Sequence, residues 1–303
     1  MTKAFKLGLF LFTFLLFACA NEEPIDFQVI YQSEFELHDI LIDEDGWIAS
    51  GGETFTYGMV LQYDNEAGVV VHDSLFDKSI LCVDTLKGVI ASGGIYSICN
   101  DENTFWRCLQ SPELYFLNDI LLEQDRMITV GGAGLSTGIV YEWNRDLSLK
   151  SQHTFEQELS CILHVEGVYM VGGYGFLQKS EDLISWNSIL DKDDHYIDLE
   201  HGADGNIYAL GASGRVLRSS DLGGEWDQIK SPAISGISAA KDLHLANDMI
   251  YLADGNKIYK TPVDAVEWLK HEFEGVGEIN KISSAGNSIT FVTTAGEVVQ
   301  FID

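Results

Sequence analysis

The sequence predicts an all-β protein in which four-stranded antiparallel sheets repeat around a ring. An apolar strand, a polar turn and a second apolar strand ending in small residues recur seven times along the 303 residues. The small residues lie 38 to 42 residues apart, at Gly51, Gly93, Gly131, Gly172, Gly211, Ala253 and Thr293. The chain has only 4 prolines but 29 glycines, a composition that suits strands joined by tight turns.

A period near 40 residues built from strands alone indicates a β-propeller. One four-stranded sheet cannot bury both of its faces, so each must pack against neighbours. Seven repeats of this length make residues 27–303 a single domain, a seven-bladed β-propeller of four-stranded antiparallel blades. The predicted second strands are Trp47–Gly52, Val89–Gly94, Met127–Gly132, Val168–Gly173, Ile207–Gly211, Met249–Ala253 and Ser288–Thr294.

The N-terminal strand is expected to close the ring. The seventh repeat stops after its third strand, whereas Phe27–Ser33 is rich in strand-forming residues and precedes the first repeat. An open ring would expose two unpaired sheet edges. We therefore expect Phe27–Ser33 to pair with Glu297–Ile302, with Val29 and Tyr31 facing a neighbouring sheet.

The first 26 residues lie outside the repeats. Lys3 and Lys6 precede the apolar run Leu7–Phe17, which is followed by small residues, the pattern of an export signal. The run is too short to span a membrane, which takes about 20 residues. Leu16-Phe17-Ala18-Cys19 resembles the bacterial lipobox, in which the cysteine is lipidated and becomes the first mature residue.

This resemblance implies a signal peptide at residues 1–18, an acidic tether at 19–26 and a lipid anchor at Cys19 in the outer membrane. Acidic residues just after the cysteine are similar to the surface-export signal of some lipoproteins. Orientation towards the periplasm or the cell surface stays open, as does an ordinary secretory cleavage after Ala20.

The charge excludes one class of partner. The chain has 47 acidic and 18 basic side chains, a formal net charge of −29. Such a field repels phosphate backbones and anionic lipid. We therefore expect no nucleic-acid partner and contact with a membrane only through the lipid anchor. The acidity also suits a soluble, monomeric exported β-protein.

One repeat carries a recognisable turn motif, formed by Ser219, Asp221, Gly223 and Trp226. It resembles the Asp box, or BNR repeat, of sialidase-like propellers and of the propellers of photosystem II assembly factors. Ser180–Trp186 is a version one residue shorter. The resemblance implies a structural turn on the face opposite the usual binding site, and it says little about activity.

Sialidase activity is not expected, although sialidases share this resemblance. Sialidases hold a carboxylate with three arginines, and residues 19–303 contain Arg107, Arg126, Arg145, Arg215 and Arg218. None of these begins a predicted first strand, where groups converge on the central channel. Photosystem II assembly factors imply a non-catalytic scaffold, but their basic partner surface does not fit this acidic chain.

Carboxylates begin several predicted first strands, at Asp39, Asp119, Asp198 and Asp242. They could bind Ca²⁺, or two of them could act as the acid and base of a glycoside hydrolase or lyase. Alternatively, each Asp accepts backbone N–H groups where its strand begins. The nearby Lys78, Lys241 and Lys281, which would neutralise the carboxylates, favour this structural role. No CxxC or HxxxH spacing occurs, and no metal or cofactor is expected.

The connections between second and third strands are expected on the face where these carboxylates lie, and to be long in the first three repeats. A candidate binding face there comprises Phe55, Tyr57, Tyr96, Phe105, Tyr174 and Tyr196. Aromatic side chains on such loops give large contact areas at low entropic cost, although aromatics also fill gaps between blades. Cys99 and Cys108 flank Asn100–Arg107 in one such connection, where they either form a disulfide or stay reduced.

These observations predict a non-catalytic envelope lipoprotein whose propeller binds a protein or glycan through that face. The alternative is a carbohydrate-active enzyme, other than a sialidase, that uses the carboxylates of the channel mouth. The identity of the ligand does not follow from the sequence.

Overall fold

The computed structural model describes residues 25–42, 46–64, 68–72, 78–102, 105–232, 240–264 and 267–303. The predicted signal peptide 1–18 and Cys19 lie outside these residues. Within the described ranges the chain forms 26 β-strands. No helix in those ranges has the length and apolar character needed to cross a membrane.

Three four-stranded sheets follow an N-terminal strand β1 (Phe27–Gln32). The first contains β2 (Leu37–Ile42), β3 (Gly46–Glu53), β4 (Tyr57–Asp64) and β5 (Gly68–His72). The second contains β6 (Ile80–Leu86), β7 (Val89–Gly94), β8 (Ser97–Glu102) and β9 (Phe105–Gln110). The third contains β10 (Phe116–Leu122), β11 (Arg126–Ala133), β12 (Thr137–Asn144) and β13 (Leu149–Phe155).

The next sheet has six strands rather than the expected four. It contains β14 (Leu159–Val165), β15 (Val168–Ser180), β16 (Asn187–His201), β17 (Ile207–Gly211), β18 (Val216–Ser219) and β19 (Asp227–Ile229). The first part of β16 pairs with β15 at Lys179↔Asn187, and its last part pairs with β17 at His201↔Ile207. One continuous strand therefore joins two repeats that the sequence predicts as separate sheets.

Two four-stranded sheets complete the described fold. One contains β20 (Asp242–Ala246), β21 (Met249–Asp254), β22 (Lys257–Pro262) and β23 (Leu269–Glu272). The other contains β24 (Ile279–Ala285), β25 (Ser288–Thr293) and β26 (Glu297–Ile302), with β1 as its outermost strand. The described residues thus form six hydrogen-bonded sheets.

The first strand of each repeat lies at the centre of a closed ring. These inner strands, β2, β6, β10, β14, the last part of β16, β20 and β24, contact one another in that order, and β24 contacts β2. Each inner strand begins on the same face. We call it the upper face; it is formed by the residues that precede the inner strands, such as Glu36, Glu158 and Glu278.

The small residues that mark the repeat have a steric cause. A Cβ on Gly131 would lie 1.8 Å from the carbonyl oxygen of Phe116, where β10 begins, and one on Gly173 would lie 2.3 Å from that of Glu158. Real Cβ atoms do not approach so closely, so a side chain there would push the inner strand away. At these two glycines the end of the second strand must be small because the inner strand crosses directly against it.

β1 closes the ring as predicted, in register from Phe27↔Phe301 to Gln32↔Glu297. The pairing shifts between Val29 and Tyr31. This bulge reverses the alternation of side chains, so Tyr31 packs on Trp47 with ring centroids 5.7 Å apart, whereas Val29 is 42% exposed. The expectation that Val29 faces a neighbouring sheet is therefore wrong.

Candidate binding face and central channel

Equivalent positions on the inner strands form a ring around the channel. In most inner strands the pairing with the second strand shifts just before this position, as between Leu37 and Asp39 and between Ile279 and Lys281. The ring comprises Asp39, Cys82, Asp119, Cys161, Asp198, Asp242 and Lys281. The four aspartates named from the sequence therefore do lie at matching positions.

Both oxygens of Asp39 and of Asp119 accept backbone N–H groups. Asp39 Oδ1 accepts the N–H of Ile40 at 2.8 Å, and its Oδ2 accepts that of Val83, on the next inner strand, at 2.8 Å. Asp119 makes the same two contacts with Ile120 and Ile162, each at 2.8 Å. Each carboxylate therefore fastens its strand to the following one.

The remaining pair of aspartates shares a lysine. Asp198 bonds the N–H of Leu243, and Asp242 bonds that of Ile282. Lys281 Nζ lies 2.7 Å from Asp242 Oδ1 and 3.4 Å from Asp198 Oδ2. The lysine side chain is 31% exposed and places one positive charge among these carboxylates.

A second tier of side chains, two residues further along the inner strands, makes the same kind of link. Asp84 Oδ2 accepts the N–H of Leu122 at 2.6 Å, and Glu200 Oε2 accepts that of Leu245 at 3.0 Å. Ser283 Oγ accepts the N–H of Ile42 at 3.1 Å and so joins the last inner strand to the first. Sequence reasoning missed this tier, although its constant offset of two from the first ring is readable once that ring is known.

Burial shifts the pKa values of the aspartates in the channel ring and in the second tier. Burial raises the pKa of Asp119 to about 7 and that of Asp84 to about 6, even though backbone N–H groups oppose the shift. It also raises the pKa of Asp39 and of Asp242. At Asp198 burial acts in the same direction, but the charge of Lys281 and the hydrogen bonds from Asp242, Leu243 and Leu199 together outweigh it and lower the pKa.

These contacts limit the chemistry of the channel. Among the described residues, no group of three or more His, Cys, Asp or Glu side chains is placed to hold a metal ion. Each oxygen of Asp39 and of Asp119 already accepts one backbone N–H group. The observed contacts match the expectation that each Asp accepts backbone N–H groups and so joins neighbouring strands.

Three aromatic residues cluster on the upper face, and we call them the rim cluster: Phe55, which is exposed, and Tyr96 and Phe116, which are half-buried. Phe55 follows β3 and is 56% exposed. Its ring centroid lies 6.2 Å from that of Tyr96 and 6.3 Å from that of Phe116, and the latter two are 5.7 Å apart. The structure thus brings Phe55 and Tyr96 together and adds Phe116, which the sequence reasoning did not include.

The other predicted members of the face are dispersed. Tyr57 is half-buried against Phe35, with centroids 4.4 Å apart. Tyr174 is 42% exposed and packs on His195 at 4.7 Å, in the six-stranded sheet.

Two of the predicted members are wrong for this face. Tyr196 is fully buried, because its register position is the one that Leu37 and Leu117 occupy in their own repeats. Phe105 begins β9, at the end of its sheet away from the upper face, and its side chain lies outside the described residues. The predicted long connections are also absent in the described residues: Ile95 and Tyr96 alone separate β7 from β8.

Cys99 and Cys108 are joined by a disulfide. They lie directly opposite each other on β8 and β9, which are the third and fourth strands of their repeat. The prediction that they flank a connection between second and third strands is therefore wrong. The bridge staples two paired strands rather than closing a loop. Cys82 and Cys161 are buried and unbridged.

The turn after β18 is held by its own side chains. Ser219 Oγ donates to Asp221 Oδ1 at 2.8 Å and accepts the N–H of Gly223 at 2.9 Å. Asp221 Oδ1 also accepts the N–H of Glu225 at 2.9 Å, and this bond is the main cause of the lowered pKa of Asp221. Gly223 has φ 78°, a conformation that glycine adopts without strain. Trp226 is half-buried against the neighbouring core.

Comparison with known proteins gives the fold. No protein-family model matches the chain, and no curated protein matches its sequence. Virginiamycin B lyase from Staphylococcus aureus matches in structure with a TM-score of 0.75 and 10% identity, covering 92% of this chain and 99% of that one. YCF48 bound to a D1 peptide matches with a TM-score of 0.69 and 13% identity over 93% and 98% of the two chains.

The WD40 β-propeller domain of Doa1 also matches, with a TM-score of 0.71 and 11% identity over 91% and 97% of the two chains. Identities this low show likeness of fold and nothing of activity. The chain is therefore a β-propeller.

Proposed function

We propose that the chain is an exported, monomeric lipoprotein whose seven-bladed propeller binds a protein or glycan on its upper face without catalysis. The observation that carries this proposal is the rim cluster, where the exposed Phe55 packs beside two half-buried aromatic neighbours on a rigid scaffold. Exposed aromatic groups on a rigid support are typical of binding surfaces. A neighbour in structure, YCF48, is seen with a bound peptide, which favours a protein ligand over a glycan.

The blade count rests on reading the six-stranded sheet as two blades. Gly175, inside β15, has φ 83°, and Leu177 lies 3.2 Å from the Cβ position of Gly172. Both features suit a chain that reverses within β15, so that β15 supplies two strands. β16 then provides the outer strand of one blade and the inner strand of the next, which gives seven blades. The turns at 180–186 and 219–226 fit the Asp-box class by their hydrogen bonds.

The channel supports binding rather than catalysis. The alternative of a carbohydrate-active enzyme needs two carboxylates with an oxygen free to act as acid, base or nucleophile. Asp39 and Asp119 both bond two backbone N–H groups. We expect no turnover on a panel of glycans. Turnover that Asp119→Asn abolishes would favour the enzyme instead.

The binding face is tested by site-specific photo-crosslinking in the producing cells. A photoreactive amino acid replaces Phe55 or, as the matched control, Val71, which is also exposed, at 46%, but lies on the outer strand β5. We expect a discrete adduct from position 55 and none from 71. The identified partner should then bind the purified chain at least tenfold more weakly after Phe55→Ala. Equal adducts from both positions would remove the rim cluster as the site.

The lipid anchor at Cys19 is tested by metabolic labelling with a palmitate analogue. The wild-type chain should take up the label and sediment with outer membranes, and Cys19→Ser should lose both properties. Labelling that survives the substitution would contradict the anchor. Light scattering of the purified chain should give the mass of one copy.

A further inference from the structure

A cavity lies between two neighbouring sheets and shares no lining residue with the rim cluster. It has a volume of about 440 Å³ and opens between β13 and the later part of β15, which belong to neighbouring sheets. We call it the lateral pocket; its lining includes His153, Phe155, Gln157, Phe176, Gln178 and Trp186. Its volume falls in the range of about 300–1,000 Å³ that is usual for small-molecule sites.

The walls of the lateral pocket are aromatic. The rings of Phe155 and Phe176 are nearly parallel, at 11°, with centroids 6.1 Å apart. Trp186 meets Phe155 edge to face at 5.4 Å, and its Nε1 donates to the carbonyl of Leu183 at 3.2 Å. The indole orientation is therefore fixed before any ligand arrives, which lowers the entropic cost of binding.

The polar groups of the pocket have unused bonding capacity. Within the described part of the chain, the side-chain amides of Gln157 and Gln178 and the ring nitrogens of His153 make no hydrogen bond. Each primary amide offers donors and an acceptor. Burial lowers the pKa of His153, so at neutral pH its ring offers one donor and one acceptor as well.

The charge of the pocket lining further restricts the class of ligand that can bind. No Lys or Arg contributes to its lining, whereas Glu156 does. An anionic ligand would therefore meet a carboxylate with no compensating cation, in a chain of net charge −29. A ligand rich in hydroxyl groups fits the amides and the neutral imidazole, because hydroxyls both donate and accept. Its C–H faces can pack on aromatic rings, whose faces carry partial negative charge.

We propose that the lateral pocket binds a neutral sugar residue of a glycan. The sugar packs against Phe176 and Trp186, and its hydroxyl groups bond Gln157, Gln178 and His153. This site is separate from the rim cluster, so one propeller can hold a partner on its upper face and a glycan on its side. The proposal does not depend on what binds at the rim.

The test measures binding of neutral oligosaccharides to the purified full chain in detergent, by titration calorimetry. The probes are cellohexaose, maltohexaose and xylohexaose, with sialyllactose, oligogalacturonate and an aromatic peptide as competitors of other classes. We expect saturable binding of at least one neutral probe. The double variant Gln157→Ala/Gln178→Ala should weaken it at least tenfold, and Phe176→Leu, which keeps an apolar side chain without the ring, at least fivefold.

Two controls separate a local effect from misfolding. Gln152→Ala changes an exposed glutamine on β13 whose side chain alternates away from His153, and Val71→Ala changes an exposed residue of the outer strand β5; both should bind the probe as the wild type does. Absence of binding by all neutral probes, or equal binding by the double variant and Gln152→Ala, overturns the proposal. So does binding confined to the anionic glycans or the peptide.

Discussion

Aspartates accept backbone N–H groups in two regions of the molecule, with opposite electrostatic outcomes. In the channel, Asp119 bonds two N–H groups, yet burial raises its pKa to about 7. In the exposed turn after β15, N–H groups of Ser185 and Ile184 lower the pKa of Asp182 to about 2. The same hydrogen bonds stabilise a carboxylate in both places, so the difference is the solvation that the buried group loses.

This contrast separates two tasks. The channel carboxylates join one inner strand to the next and hold the ring closed at its centre. The turn carboxylates organise a few residues at the outside, where water can replace a lost bond. Damage should therefore cost most where it opens the ring, less where it removes one channel carboxylate, and least in an exposed turn.

Deleting residues 25–35 should have the largest effect, because it removes β1 and opens the ring at its outer edge. The loss of the burial of Phe27, Ile30 and Tyr31 and of a ladder of hydrogen bonds should cost at least about 5 kcal/mol. That is comparable with the whole stability of many domains, about 5–15 kcal/mol. The truncated chain should aggregate or melt far below the parent in a calorimetric scan.

A matched pair of point variants sharpens that test. Tyr31→Ala should lower the melting temperature by several degrees, since Tyr31 packs on Trp47. Val29→Ala, on the exposed side of the same strand, should change it by little. A truncation that melts within a degree or two of the parent would show that β1 is only a tether.

Asp119→Ala tests the channel against the outer turn. It leaves the N–H groups of Ile120 and Ile162 without their acceptor, and unsatisfied buried groups cost about 1–3 kcal/mol each. We expect a loss of about 2–4 kcal/mol in the free energy of unfolding. The control Asp221→Ala, in the exposed turn, should cost clearly less, because water can replace the lost bonds. Urea denaturation measures both, and equal losses would contradict the distinction between the two regions.

The periodicity of the sequence predicts the second strands and the pairing of β1, because both depend on strong apolar patterns and on the need to cover an edge. The bulges are not visible in that pattern. One-residue shifts in strand pairing turn Val29 towards solvent, and equivalent shifts bring Asp39 and Lys281 to matching positions in the channel ring. The bulge that follows Tyr196 has the same consequence. It hides from the sequence pattern that Tyr196 takes the buried position that Leu37 takes in its own repeat, so the pattern wrongly predicts Tyr196 at the surface.

Lys281→Met tests how much the single lysine of the channel ring contributes to stability. Lys281 contacts Asp198 and Asp242, so its loss leaves two neighbouring carboxyl groups without a cation. We expect a loss of about 2–3 kcal/mol, below the about 3–5 kcal/mol of a fully buried pair because the lysine is partly exposed. Adding Asp242→Asn should recover part of this loss. Lys241→Met removes an exposed lysine next to Asp242 in the sequence and is the control. An equally large loss there would mean that the net charge of the protein, rather than the contact of Lys281 with the two aspartates, sets the stability.

The most specific effect is the dependence of stability on pH. Between its unfolded pKa of 3.8 and its folded pKa of about 7, Asp119 binds more protons in the folded chain. Its contribution to stability is therefore greatest below pH 3.8 and is lost as the pH rises towards 7, by at most about 1.4 kcal/mol per pH unit. Asp182 acts in the opposite sense: its contribution is present above pH 3.8 and is lost as the pH falls towards 2.

Urea unfolding of the wild type and of Asp119→Asn from pH 2.5 to 7.5 tests these signs. Asparagine carries no titrating proton, so the variant should lose less stability than the wild type between pH 4 and 7. Asp182→Asn should instead flatten the profile below pH 4 and leave the upper range unchanged. Asp84, whose pKa burial raises to about 6, adds to the wild-type decline, so Asp119→Asn should reduce the slope without abolishing it. Parallel profiles for the wild type and Asp119→Asn between pH 4 and 7 would mean that the channel carboxylate stays ionised, and that bonds from Ile120 and Ile162 outweigh its burial.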